Sequence, residues 1–162
     1  MVKLNMSNNN FYQTEAGKAL GDMVAANMVL KELDLSKCNM QNSESVKAFA
    51  VGLSANGALV KLLMADNKIR AQGGKVLAKA LKYNQIMREL DLSNNDLDLS
   101  NNDLGWKAYQ DKDVSGVIAI ANAIPTMGAL TSLDISTNFI GAEGAKHVAE
   151  AIKEHVSALR FD

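Results

Sequence analysis

The motif Leu-x-x-Leu-x-Leu-x-x-Asn-x-Ile recurs along this chain, each copy followed by an alanine-rich stretch with helical spacing. Complete copies begin at Met1, Leu30, Leu59, Met87 and Leu130, and a half-copy begins at Val156. The successive offsets are 29, 29, 28, 43 and 26 residues. A unit of that size, one strand plus one helix, has too little core to fold alone; burial comes from stacking on its neighbours. The expectation is a solenoid read as a single domain over 1–162, with function on the strand-lined face.

The strand signal is an alternation of apolar and polar residues. The fourth and sixth motif positions are Leu4/Met6, Leu33/Leu35, Leu62/Met64, Leu90/Leu92, Leu133/Ile135 and Leu159/Phe161. Period-2 alternation is what a strand with one buried face requires. It predicts six short parallel strands near 2–6, 31–35, 60–64, 88–92, 131–135 and 157–161. Helices follow near 14–26, 43–55, 71–83, 115–124 and 142–154. Each carries one apolar stripe, as in Val76, Leu77, Ala80 and Leu81. Thr14, Ser43 and Ser115 are the expected N-caps. Lys18, Lys47, Lys75 and Lys146 recur on what should be a solvated convex face.

The ninth motif position is Asn9, Cys38, Asn67, Asn95 and Asn138. An inward amide there can satisfy backbone groups where the chain turns out of its strand. Cys38, the only cysteine, reads as a small thiol in an asparagine slot rather than a reactive or metal-binding one. One cysteine permits no internal disulfide, which favours a reducing, cytoplasmic compartment.

Segments 87–97 (MRELDLSNNDL) and 130–152 (LTSLDISTNFIGAEGAKHVAEAI) resemble the ribonuclease-inhibitor-like subtype of leucine-rich repeats. The resemblance extends over essentially the whole chain. It implies a right-handed α/β horseshoe, with the parallel sheet on the concave side and helices on the convex side. It is specific for fold and broad for function. The subtype includes inhibitors, GTPase activators of the Ran type, immune-receptor sensors and actin-end binders.

Two irregularities depart from that pattern. The chain starts and stops in register with the repeat and carries no polar capping motif. That favours an excised piece of a longer protein over a very short repeat protein or a dimer covering its own ends. Secondly, LDLSNND occurs twice in tandem, at 90–96 and 97–103. Only the first copy fits the strand frame, because the second would put Asn94 at a core position. Residues 98–114 should therefore loop out as an insertion, carrying Trp106 and Tyr109.

No catalytic constellation, cofactor motif or metal site emerges. His147 and His155 stand about two helical turns apart, too far for a short-range metal pair, and are expected to be exposed. Asp111 to Ile118 mimics the start of a calcium loop, but its twelfth position is Asn122 instead of a bidentate glutamate. The net charge of −1 provides no overall field for nucleic acid or an anionic membrane, and no membrane span is legible.

The outward strand positions form the candidate surface: Lys3/Asn5/Ser7, Glu32/Asp34/Ser36, Lys61/Leu63/Ala65, Glu89/Asp91/Ser93, Ser132/Asp134/Ser136 and Ala158/Arg160/Asp162. Neighbouring carboxylates such as Asp91 and Asp134 repel one another, which favours a basic partner, although Lys3, Lys61 and Arg160 interrupt the track. The competing reading is that Leu-Asp-Leu-Ser repeats by descent, with each aspartate bonding locally. The expectation is a non-enzymatic protein-interaction module using Glu32, Asp34, Lys61, Leu63, Glu89, Asp91 and Asp134, with Trp106 and Tyr109 as anchors. A Ran-type GTPase-activating role and a structural segment that self-associates through bare terminal strands are the alternatives.

Overall fold

The computed structural model describes residues 2–97 and 113–158, the last three as backbone only. Strand and helix alternate among the described residues: β1 (Val2–Asn5), α1 (Thr14–Ala26), β2 (Leu30–Asp34), α2 (Ser43–Ala55), β3 (Lys61–Leu63), α3 (Arg70–Leu81), β4 (Glu89–Asp91), α4 (Ser115–Ala123), β5 (Ser132–Asp134) and α5 (Gly141–Ala158). A 3-10 turn over Ile124–Thr126, containing the only proline, ends α4. The five strands pair in parallel in chain order, making the α/β horseshoe that the repeat implies.

All the described strands but β2 are shorter than the five residues expected, but their hydrogen-bonding continues beyond them. Leu35 N donates to Leu63 O, Met64 N to Asp91 O and Leu92 N to Asp134 O, each at 2.8 or 2.9 Å. The inward positions Leu33, Leu35, Leu62, Met64, Leu90 and Leu92 are buried, and Phe49, Leu53, Leu77, Leu81 and Ile120 cover them from the helices. The core is thus a stack of similar aliphatic layers, as in other solenoids.

Neighbouring helices approach closely where glycine removes the side chain. A Cβ at Gly52 of α2 would lie 1.9 Å from the Gly21 carbonyl oxygen of α1. One at Gly116 of α4 would lie 2.6 Å from the Ala71 Cα of α3. Between α2 and α3 the surface instead opens into a groove of about 510 Å³.

Several local expectations are corrected. Thr14 and Ser43 are the first helical residues, not caps; the cap of α2 is Asn42, whose side chain accepts from Glu44 N at 3.1 Å. At α4 the Asp113 carboxylate accepts from Ser115 N at 3.1 Å and from the Ser115 hydroxyl. A sixth strand from 157 is not formed, because α5 runs on through Ala158; residues 159–162 lie outside the described set. Residues 150–158 contain no asparagine, glycine or proline to stop a helix. His155 is buried rather than exposed, with Nε2 3.1 Å from Leu130 O.

Candidate interaction surface

Parallel register aligns the outward residues of each strand into two rows. The first is Lys3, Glu32, Lys61, Glu89 and Ser132; the second is Asn5, Asp34, Leu63, Asp91 and Asp134. Adjacent strands lie about 4.8 Å apart, so row neighbours are within side-chain reach of one another.

The first row neutralises itself. Lys3 Nζ is 2.7 Å from Glu32 Oε2, and Lys61 Nζ is 2.5 Å from Glu89 Oε2. The bond to Glu89 raises the Lys61 pKa, opposed by desolvation and reinforced by the fields of Glu89, Glu32 and Asp91. Glu32 and Glu89 therefore do not present bare charge to a partner, as an acidic track would require.

The second row keeps its charge. Asp34, Asp91 and Asp134 each accept from the backbone N–H two residues ahead (Ser36, Ser93 and Ser136), all at 2.9 Å. Asn5 makes the same bond to Ser7 N at 2.8 Å. These are local turns that end the strands, so the descent reading explains why an Asp or Asn stands there. At Asp134 these bonds favour the charged form: the Ser136 N–H and then its hydroxyl hold its pKa below the ordinary value. Asp34 also accepts from Asn5 Nδ2 at 3.2 Å, whereas Asp91 and Asp134 form no ion pair among the described residues.

Across both rows, two lysines face five carboxylates, leaving a surplus of three negative charges on the second row. Leu63 stands half-buried between Asp34 and Asp91. A hollow of about 150 Å³, lined in part by Lys3, Glu32, Lys61 and Leu63, indents the face across β1 to β3. Trp106 and Tyr109 lie outside the described residues, as does the insertion up to residue 112.

The ninth-position residues form a ladder beside this face. Asn67 Nδ2 donates to Leu35 O and Met64 O, while its Oδ1 accepts from Cys38 N at 2.8 Å. Asn95 Oδ1 accepts from Asn67 N, and Asn138 Oδ1 from Asn95 N. Asn9, more exposed, donates to Met6 O and Ser7 O. Cys38 is fully buried; its thiol donates to Met6 O at 3.0 Å, and burial raises its pKa. The residues flanking the ladder adopt left-handed backbone, including Lys37/Asn39, Asp66/Lys68, Asn94/Asp96 and Thr137/Phe139.

A second ladder has no counterpart in the motif reading. Asn27, Asn56 and Asn84 stand where a helix ends, and each Oδ1 accepts from the backbone N–H two and three residues on. Their spacings of 29 and 28 match the repeat, and that periodicity was the available signal.

The stacking register and both ladders are those of one repeat type, and the family model described as "Leucine Rich repeat" matches residues 26–50, 83–98 and 130–149. These segments are leucine-rich repeats, and the chain is similar to the ribonuclease-inhibitor-like type. It is 25% identical over 161 residues to mouse ribonuclease inhibitor, covering 99% of this chain and 32% of that protein. It therefore spans about a third of that relative's length. Among solved structures, the tropomodulin C-terminal domain of Caenorhabditis elegans superposes with a TM-score of 0.69 at 18% identity, covering 99% of this chain and 87% of that one. The actin-binding site 2 of leiomodin-1 gives 0.70 at 21% identity, covering 99% and 83%. These two likenesses establish the shared fold.

Among the described residues, no group of three or more His, Cys, Asp or Glu side chains could hold a metal ion, and no helix is long and apolar enough to cross a membrane.

Proposed function

We propose that this leucine-rich-repeat chain is a non-enzymatic binding module, cytoplasmic in location, that holds a basic region of a partner protein against its concave strand face. The observation carrying this reading is the second row. Asp34, Asp91 and Asp134 keep their charge in register, with Leu63 between them, while the first row cancels its own. Ionised carboxylates aligned at strand spacing raise one another's energy, and a cation from a partner relieves that cost. Leu63 adds an apolar contact next to the charges.

Leiomodin-1 uses a domain of this fold as an actin-binding site, which supports protein recognition as the role without naming the partner here. The 98–114 insertion follows the strand bearing Asp91, and Trp106 and Tyr109 are its proposed anchors. Affinity capture from a lysate of the source cell tests the proposal by comparing the chain with an Asp91→Lys/Asp134→Lys variant. A partner held by the unaltered chain and lost by the variant is expected. Equal capture by both, or loss only on mutating α1 and α2 surface residues such as Lys18 and Lys47, overturns it.

A further inference from the structure

Four of the nine strongly exposed large apolar side chains among the described residues stand at one edge of the horseshoe. Met28 and Val29, 60% and 63% exposed, form the turn from α1 into β2; Tyr83 and Ile86, 67% and 38% exposed, form the turn from α3 into β4. The turn between them, at Gly57, is open: a Cβ added there would meet nothing within 4 Å. Repeat stacking puts these turns on the same rim, with two strand spacings, about 10 Å, between β2 and β4.

The same edge carries Lys31, the second residue of β2, and Lys82 and Arg88 of the turn from α3 into β4. None of the three forms an ion pair among the described residues, whereas Lys3, Lys18, Lys47, Lys61 and Lys75 all do. Lys82 Nζ sits 5.1 Å above the centre of the Tyr83 ring, coupling a cation to an exposed aromatic. Segments 27–31, 56–60 and 82–88 contain no carboxylate. The chain's net charge of −1 conceals this local field, because the opposing acid is gathered towards the other ends of the strands at Asp34, Asp91 and Asp134.

We infer that this rim docks on an anionic lipid surface. Met28, Val29, Tyr83 and Ile86 enter the headgroup region while Lys31, Lys82 and Arg88 meet the lipid anions. Protruding apolar side chains ringed by unpaired cations suit a soft, deformable interface. A bound protein segment would instead use a groove, and the hollows described above lie on the concave face and between α2 and α3. Whole-chain charge, which argues against a membrane, averages over two faces of opposite sign.

Co-sedimentation with phosphatidylcholine vesicles containing about 30 mol% phosphatidylserine tests the inference, with pure phosphatidylcholine vesicles alongside. Binding to the anionic vesicles only, weakened by salt, is expected. Lys82→Glu/Arg88→Glu should reduce it at least tenfold, roughly, by reversing two cations. Met28→Ser/Val29→Ser should reduce it about fivefold or more through lost apolar insertion. Phe139→Ser, which removes an equally exposed side chain elsewhere in the fold, should leave it unchanged. All of these positions are exposed, and a matched thermal midpoint by circular dichroism confirms folding. No binding to anionic vesicles, binding indifferent to the rim substitutions, equal loss in Phe139→Ser, or release by inorganic phosphate where sodium chloride of equal ionic strength leaves the chain bound would overturn the inference. So would a rim-dependent complex with an acidic peptide in place of vesicles.

Discussion

Asn67 accepts the Cys38 backbone N–H on its side-chain oxygen at 2.8 Å, but Cys38 offers the preceding repeat only a thiol. Sulfur is a weak acceptor, so the ladder is stronger at Asn67, Asn95 and Asn138 than at its Cys38 rung. Replacing Asn95 by alanine strands the buried Asn67 N–H and removes the longer bond from Ile69 N, while Met64 O and Ser93 O keep Asn67 Nδ2 and Asp66 N as donors. Leaving such groups unpaired costs about 2–4 kcal/mol in all, against about 1 kcal/mol for Cys38→Ala. Urea unfolding of the two variants checks the ordering, and an equal or reversed cost would contradict it.

The buried thiol also sets an alkaline limit. Its folded pKa is raised by burial above the ordinary 9.0, so the unfolded chain ionises first. The thiol's contribution to stability is whole below pH 9.0 and declines as the pH rises through the shifted value. Thermal midpoints from pH 8 to 10 should fall more steeply for the unaltered chain than for Cys38→Ala. Parallel slopes would show that the thiol is not the titrating group. Iodoacetamide should likewise react slowly with the native chain and rapidly in urea.

Asp113, the residue before the Val114 cap of α4, holds the first helical residue through Ser115, and its pKa is lowered first by the Ser115 hydroxyl, then by the backbone bond and by Lys75 against desolvation. A depressed folded pKa means the stabilisation is present above the unfolded value of 3.8 and is lost as pH falls through the folded one. Asp113→Ala should cost about 1 kcal/mol at neutral pH, a capping effect. The difference from the unaltered chain should vanish in strong acid. A pH-independent cost would point to packing instead.

Thr137 and Phe139 occupy left-handed backbone at φ 56° and 50°, a region that β-branched and bulky residues resist. Other repeats place Asn8, Asn39 or Asn94 at such sites. Thr137→Asn and Phe139→Asn should each stabilise the fold by about 0.5–1 kcal/mol, and Phe139, 62% exposed, has little packing to lose. A fall in thermal midpoint would show that these side chains make contacts worth more than the strain.

The strand frame, the asparagine positions and four of the helices were legible because periodicity states them directly: Leu33 and Leu35 must face the same way if Leu62 and Leu90 do. Charge pairing across the face was not drawn from the composition of single strands. It needs the register, which sets Lys3 beside Glu32 and Lys61 beside Glu89. The alternation of Lys and Glu at the third motif position carried that information. The helix that replaces the sixth strand was missed for a different reason. Val156 to Ala158 suits either state locally, and only the absence of a helix stop in 150–158 decides it. His155 was misjudged with it, since its partner, Leu130 O, belongs to the preceding turn.

The claim that the concave second row is the binding surface has a direct measurement: carbodiimide footprinting of carboxylates on the chain, alone and with the captured partner. Asp34, Asp91 and Asp134 should lose labelling in the complex, while Asp22, Glu44 and Glu143 on the helices remain labelled. Protection confined to the helix carboxylates, with Asp91 and Asp134 labelled as freely as before, would contradict it.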